Sequence, residues 1–122
     1  MRVKKEQIIN GIMSFVESEV IPQVGDKPTQ IIVGTAVNLL KTNTALIDKF
    51  FENPMVQTVF HKSEDGTYEI EEVFQSMADS VKKYGPFPVE IPAIPFISPS
   101  DKLLSFSEAD INEIKRRIER SI

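Results

Sequence analysis

The chain has no cysteine, which removes disulfides, thiolate nucleophiles and thiolate metal sites together. It has a single histidine, His61, so zinc binding and general acid–base chemistry lack the side chain they favour most. No apolar run is long enough to span a bilayer. The longest, Ile31 to Leu40, is interrupted by Gly34, Thr35 and Asn38. The opening Met-Arg-Val-Lys-Lys-Glu-Gln is basic, but the apolar stretch and small-residue cleavage site of a secretory signal do not follow it. An excess of positive charge is also missing. Lys and Arg number 14 against 18 Asp and Glu, a net charge of −4, which disfavours nonspecific binding to phosphates. There is no internal repeat and no low-complexity tail. These absences set the expectation of a soluble, cytoplasmic protein without cofactor or metal.

What is present suits one folded domain. A length of 122 residues fits a single domain over 1–122, able to bury roughly two-thirds of its unfolded surface. Apolar residues make up 41% and charged residues 26%, the balance of an ordinary folded chain, so disorder is not expected for most of it.

Periodicity places the helices. Ile8, Ile9, Ile12, Phe15, Val16 and Val20 recur at three- and four-residue spacing, predicting a helix from Lys4 to Ile21 that Pro22 ends. A second helix begins at Asp26 or Thr29 and runs to about Lys41, with Ile31, Ile32, Val33, Ala36, Val37, Leu39 and Leu40 spread around it. A helix apolar on nearly every side belongs at the centre of a domain or against a partner. Gly34 within it suggests close approach of a neighbouring helix. Asn43 is placed to cap a third helix, Thr44 to Glu52, and Pro54 to open a short fourth one through about His61. Asp65-Gly66 marks a tight turn. A short extended piece at Tyr68 then leads into a fifth helix, Ile70 to Tyr84, with Ile70, Val73, Phe74, Met77, Val81 and Tyr84 as its buried stripe and Gly85 as terminator.

Five of the eight prolines lie between Pro86 and Pro99, so the segment 86–100 is extended rather than helical. Lys102 to Phe106 can pair back on it as a loose hairpin. Ser107 and Asp110 form the capping-box spacing that starts a last helix, Glu108 to about Ser121, with Ile111, Ile114 and Ile118 on a narrow stripe. The expected architecture is mainly α: a compact bundle of five to six short helices with a small extended β-hairpin before the C-terminal helix.

Side chains that carry chemistry are few. His61 sits at the expected C-terminal end of a helix beside Lys62, where the helix dipole favours positive charge, and no second histidine accompanies it. Glu69, Glu71 and Glu72 flank the start of the fifth helix, where acids are electrostatically favoured. A paired-carboxylate enzyme is the alternative there, but nothing else converges on them. Lys115, Arg116, Arg117 and Arg120 form the strongest run of cations and the nucleic-acid candidate. The same helix carries Glu108, Asp110, Glu113 and Glu119, and pairing within it, such as Glu113 with Arg117, is the simpler account. Pro92-Ala93-Ile94-Pro95 has PxxP spacing but no flanking Arg or Lys. Phe87, Ile94 and Phe96, interleaved with proline, read as an apolar strap over the core. Where the strap is not buried, these three form a candidate protein-interaction patch. Of Phe50 and Phe51, adjacent on one helix, one is expected to leave the main core.

Phe50-Phe51-Glu52-Asn53-Pro54, Asp65-Gly66-Thr67-Tyr68-Glu69-Ile70 and Val89-Glu90-Ile91-Pro92-Ala93-Ile94-Pro95 together resemble small uncharacterised proteins of bacteriophages and prophages. The resemblance spans most of the chain and brings no active residue with it. It implies an assembly or accessory protein rather than a metabolic enzyme. The expected function is a non-catalytic structural or protein-interaction module that binds a protein partner or itself. The alternative is a nucleic-acid-binding accessory protein acting through the C-terminal basic helix.

Overall fold

Helix α1, Lys5–Phe15, is the element on which the others pack. Its buried residues are Ile8, Ile9, Gly11, Ile12, Met13 and Phe15, followed by Val16 in the next turn. At 100° per residue these span roughly 200° of the helix circumference. The structure is a computed structural model and describes residues 1–23, 26–90 and 103–121. Around α1 lie α2 (Lys27–Thr42), α3 (Thr44–Glu52) and α6 (Glu108–Arg120); α5 (Ile70–Tyr84) packs against α6. The short α4 (Pro54–Gln57) follows α3.

Central position therefore belongs to α1 and not to α2, although the apolar residues of α2 are spread more widely around its helix. Val33, Ala36, Val37 and Leu40 of α2 are buried, whereas Ile31 is 61% and Leu39 40% exposed. Gly34 also differs from expectation: a Cβ there would meet nothing within 4 Å. The close helix approach is at Gly11 instead, where an added methyl would overlap the Ile118 side chain of α6. A glycine in α1 lets α6 come near enough for Ile111, Ile114 and Ile118 to be fully buried.

The last part of the first helix is wider than an α-helix. Val16–Val20 form a π turn, closed by the Ile21 N–H donating to the Val16 carbonyl, and Ile21–Gln23 continue as one 3-10 turn. Pro22 has no N–H to extend a regular ladder, and the chain leaves the α geometry as it approaches this residue. The widened turn directs Glu17 to Lys41 of α2 at 2.5 Å and Glu19 to Arg117 of α6 at 3.2 Å.

Capping behaves as the residue types dictate. The Asn43 side chain accepts from the Leu46 N–H at 3.2 Å. Ser107 and Asp110 exchange side-chain-to-backbone bonds at 3.2 and 2.9 Å, closing the capping box of α6. Gly85 ends α5 at φ 91°, and Tyr84 beside it is exposed rather than on the buried stripe. The fourth helix is shorter than the run to His61. After Gln57 the chain turns so that Val59 and Phe60 enter the core. Phe50 is fully buried, whereas Phe51 is half-buried and packs against the edge of the core. It stacks on Tyr68 with centroids 5.4 Å apart and meets Phe50 and Phe60 edge-on.

Among the described residues there are also two small antiparallel sheets. Strand β1 (Arg2–Val3) pairs with β2 (Tyr68–Glu69), placing Val3 opposite Tyr68. Strand β3 (Phe87–Glu90) pairs with β4 (Leu103–Phe106) as the expected hairpin before α6, with Phe87 opposite Phe106. Both of these phenylalanines are buried, and Phe106 meets Phe15 edge-on at 5.8 Å.

Candidate interaction face

Helix α2 is amphipathic only on its inner side. Between Lys27 and Lys41 it contains no charged residue, and its exposed positions are Pro28, Ile31, Thr35, Asn38, Leu39 and Thr42. At 100° per residue these six fall within an arc of roughly 100°, as wide as the stripe a surface helix normally turns toward its own core. Here the arc faces outward. Its polar letters overstate its polarity, because the Thr35 hydroxyl donates to the Ile31 carbonyl at 2.9 Å and that of Thr42 to the Asn38 carbonyl at 3.1 Å. With both hydroxyls already bonded, covering this face strands neither of them. At one edge Lys41 is paired with Glu17; at the other end Lys27 is exposed in the first turn. Scattered exposed apolar residues need no explanation. Two large ones, two turns apart on an uncharged helix face, form a coherent surface.

The residues expected to carry an interaction are distributed differently. Phe87 is 2% exposed and belongs to the core, so it offers nothing to a partner. Its place opposite Phe106 in the hairpin, on a strand that packs against α4 and α5, is the reason. Ile94 and Phe96, with the PxxP segment, lie outside the described residues. Ile31 and Leu39 were readable only as general apolarity of α2, since the sequence does not say which arc the rest of the fold leaves uncovered.

The basic run of α6 is largely tied down. Arg116 and Arg120 reach the Glu113 carboxylate at 2.8 and 3.1 Å. Arg117 reaches it at 3.2 Å, the pairing anticipated from the i, i+4 spacing. Arg117 also donates to the Ser14 carbonyl at 3.0 Å and the Ser14 hydroxyl at 3.2 Å, pairs with Glu19, and lies over the Phe15 ring at 5.7 Å. Its side chain is 19% exposed, and it acts as a latch between α6 and α1. Hydrogen bonds from Arg116 and Arg117 hold the Glu113 carboxyl below its ordinary pKa. Lys115 makes no ion pair with a described residue.

The acidic start of α5 is likewise engaged. The Met1 ammonium lies 2.5 Å from Glu69 and 2.8 Å from Glu71. Glu71 is held down to about 2 by hydrogen bonding with Glu69 and by that ammonium. Glu72 is exposed and outside this cluster. Glu71, held below the ordinary carboxylate range, is not poised as a general acid.

His61 lies beyond the end of α4, exposed, on the rim of a shallow concavity of about 780 Å³. The floor is Phe51, Phe60 and Tyr68, and burial raises the Tyr68 hydroxyl above its ordinary pKa. Lys4, Lys5 and Lys62 line it together with Glu6, Asp48, Glu52 and Asp65. Lys5 is paired with Asp48, and Asp65 accepts from the Thr67 hydroxyl and amide, which hold it below its ordinary pKa. Both signs of charge are interleaved and no reactive pair converges. Among the described residues no group of three or more His, Cys, Asp or Glu is placed to hold a metal ion, and no helix is long and apolar enough to cross a membrane.

Comparison of the chain with protein-family models, curated proteins and solved structures returns no match. The candidate site therefore rests on geometry alone. Its most developed feature is the uncharged outer face of α2.

Proposed function

We propose that this chain is a non-catalytic protein-interaction module, an accessory or assembly protein of the phage or prophage type, acting in the cytoplasm through the outer face of α2. The observation that carries the reading is the exposure of Ile31 and Leu39 on a helix face without charge. Surfaces of this kind serve protein contacts better than substrate turnover, because they offer burial and shape but no group that moves a proton. The engagement of Arg116, Arg117 and Arg120 by Glu113 weakens the nucleic-acid alternative, since phosphates would have to compete with a carboxylate already in place.

The test is affinity recovery from the native host with and without nuclease, comparing the wild type with an Ile31→Glu/Leu39→Glu double variant. A defined protein set that survives nuclease and disappears with the double variant is the expected result. Recovery that collapses on nuclease treatment and is indifferent to α2 would transfer the function to the basic helix.

A further inference from the structure

The face of α2 is self-complementary, and we propose that its partner is a second copy of this chain, paired antiparallel about a two-fold axis beside Thr35. The inference rests on the reading of α2 as the interaction face and adds the identity and orientation of what covers it.

Three features converge on this occupant. The first is symmetry. Ile31 and Leu39 stand four residues before and after Thr35, and Pro28 and Thr42 stand seven before and after it. In an antiparallel pair crossing at Thr35, Ile31 of each copy packs beside Leu39 of the other, and Pro28 beside Thr42. An isologous dimer requires this kind of pattern, in which one patch is its own complement. Gly34, next to Thr35 at the crossing point, has open space where a Cβ would stand, which helps the helix axes approach; Asn38, also exposed on this face, falls opposite Ile32 of the other copy.

The second feature is charge. The molecule carries a net charge of −4, so two copies repel unless they meet where the acids are absent or neutralised. The α2 arc has none, and the nearby Glu17 is neutralised by Lys41. A strongly basic partner would find no acid on this face to recognise. The third feature is Lys27. It is exposed at the first residue of α2, the positive end of the helix dipole, where a cation is unfavourable for the isolated helix. In the antiparallel pair it lies next to the partner's α2 C-terminus, the negative end of that dipole.

The contact is modest. Sixteen residues give a helix about 24 Å long, short of what an interface of roughly 800 Å² per partner requires. The expected assembly is a reversible, concentration-dependent dimer.

Sedimentation equilibrium over a concentration series, joined to cysteine cross-linking in this naturally cysteine-free chain, tests the proposal. The wild type should pass from monomer to dimer, and Ile31→Glu should weaken the dimer by at least about tenfold with unchanged helical circular dichroism. Thr35→Cys should oxidise readily to a covalent dimer, because the two positions face each other across the axis. Thr42→Cys should not, because its two copies stand about 21 Å apart along the helices, beyond the roughly 7 Å Cα separation that a disulfide tolerates. A monomer throughout the series overturns the pairing, as does an Ile31→Glu variant that dimerises like the wild type. Covalent dimers from both cysteine variants overturn the antiparallel orientation. A monomeric wild type whose captured protein partner is lost with the α2 double variant overturns only the second-copy inference and leaves the interaction-module reading intact.

Discussion

Gly11 and Gly34 lie in helix interiors, and both would be marked as weak points by propensity alone, each about 1 kcal/mol less favourable than alanine. Their surroundings give them opposite meanings. Gly11 faces Ile118 with no room for a methyl, while Gly34 faces open space. Gly11→Ala should destabilise the fold by about 1–2 kcal/mol, because overpacking between α1 and α6 outweighs the propensity gain. Gly34→Ala should stabilise the monomer by about 0.5–1 kcal/mol. Urea denaturation of both variants at dilute concentration measures the two signs. The sequence singles out Gly34 and passes over Gly11, because the residues hold no information on what a Cβ would strike: Ile118 is more than a hundred residues from Gly11.

At the scale of elements, two of the connections between the C-terminal third and the rest can be separated by substitution. Arg117 bridges α6 to α1 through Ser14, Glu19 and the Phe15 ring. Arg117→Ala should cost about 1–3 kcal/mol, whereas Arg116→Ala and Arg120→Ala, on exposed side chains, should stay within about 0.5 kcal/mol. Thermal or urea unfolding of the three variants separates the latch from its neighbours. The β3–β4 hairpin supplies the second connection through Phe87 and Phe106. Phe87→Ala should cost about 3–5 kcal/mol in chemical denaturation. In the folded fraction, association should be unchanged, as a core residue and not an interface residue would behave. The i, i+4 pairing of Glu113 with Arg117 was legible because helix geometry fixes it locally. The bonds from Arg117 to α1 were not, because they depend on how two distant helices cross.

For the whole molecule, acid should be the more informative perturbation. Glu113 has a folded pKa below its ordinary 4.5, and Glu71 is held down to about 2. A carboxyl depressed on folding binds fewer protons in the native than in the unfolded chain. Its stabilisation is therefore complete above the unfolded value and disappears as pH falls through the folded one. Stability should decline progressively from about pH 5 toward pH 2. Glu113→Gln should flatten the part of that slope due to the α6 network, as read by thermal unfolding across the acid range.

The local code in this chain was strong. Asn43, Gly85, the Ser107–Asp110 box, and the proline density after Pro86 set the limits of α3, α5 and α6 and the extended character of β3. Each acts on its own backbone within a turn or two, and such effects can be read from the residues themselves. Strand β1 escaped notice because two residues carry no periodicity, and their pairing with Tyr68 and Glu69 is made across the molecule. The ranking of the helices was decided only by tertiary structure. The sequence spreads apolar residues most widely around α2, yet α1 occupies the centre, because Gly11 admits α6 on one side while Ile9 and Met13 fill the other. Once α1 is surrounded, α2 can bury only its inner arc, and Ile31 and Leu39 are left outside. The amount of apolar surface was thus fixed by the residues. Which part remained exposed depended on how the described helices share one core.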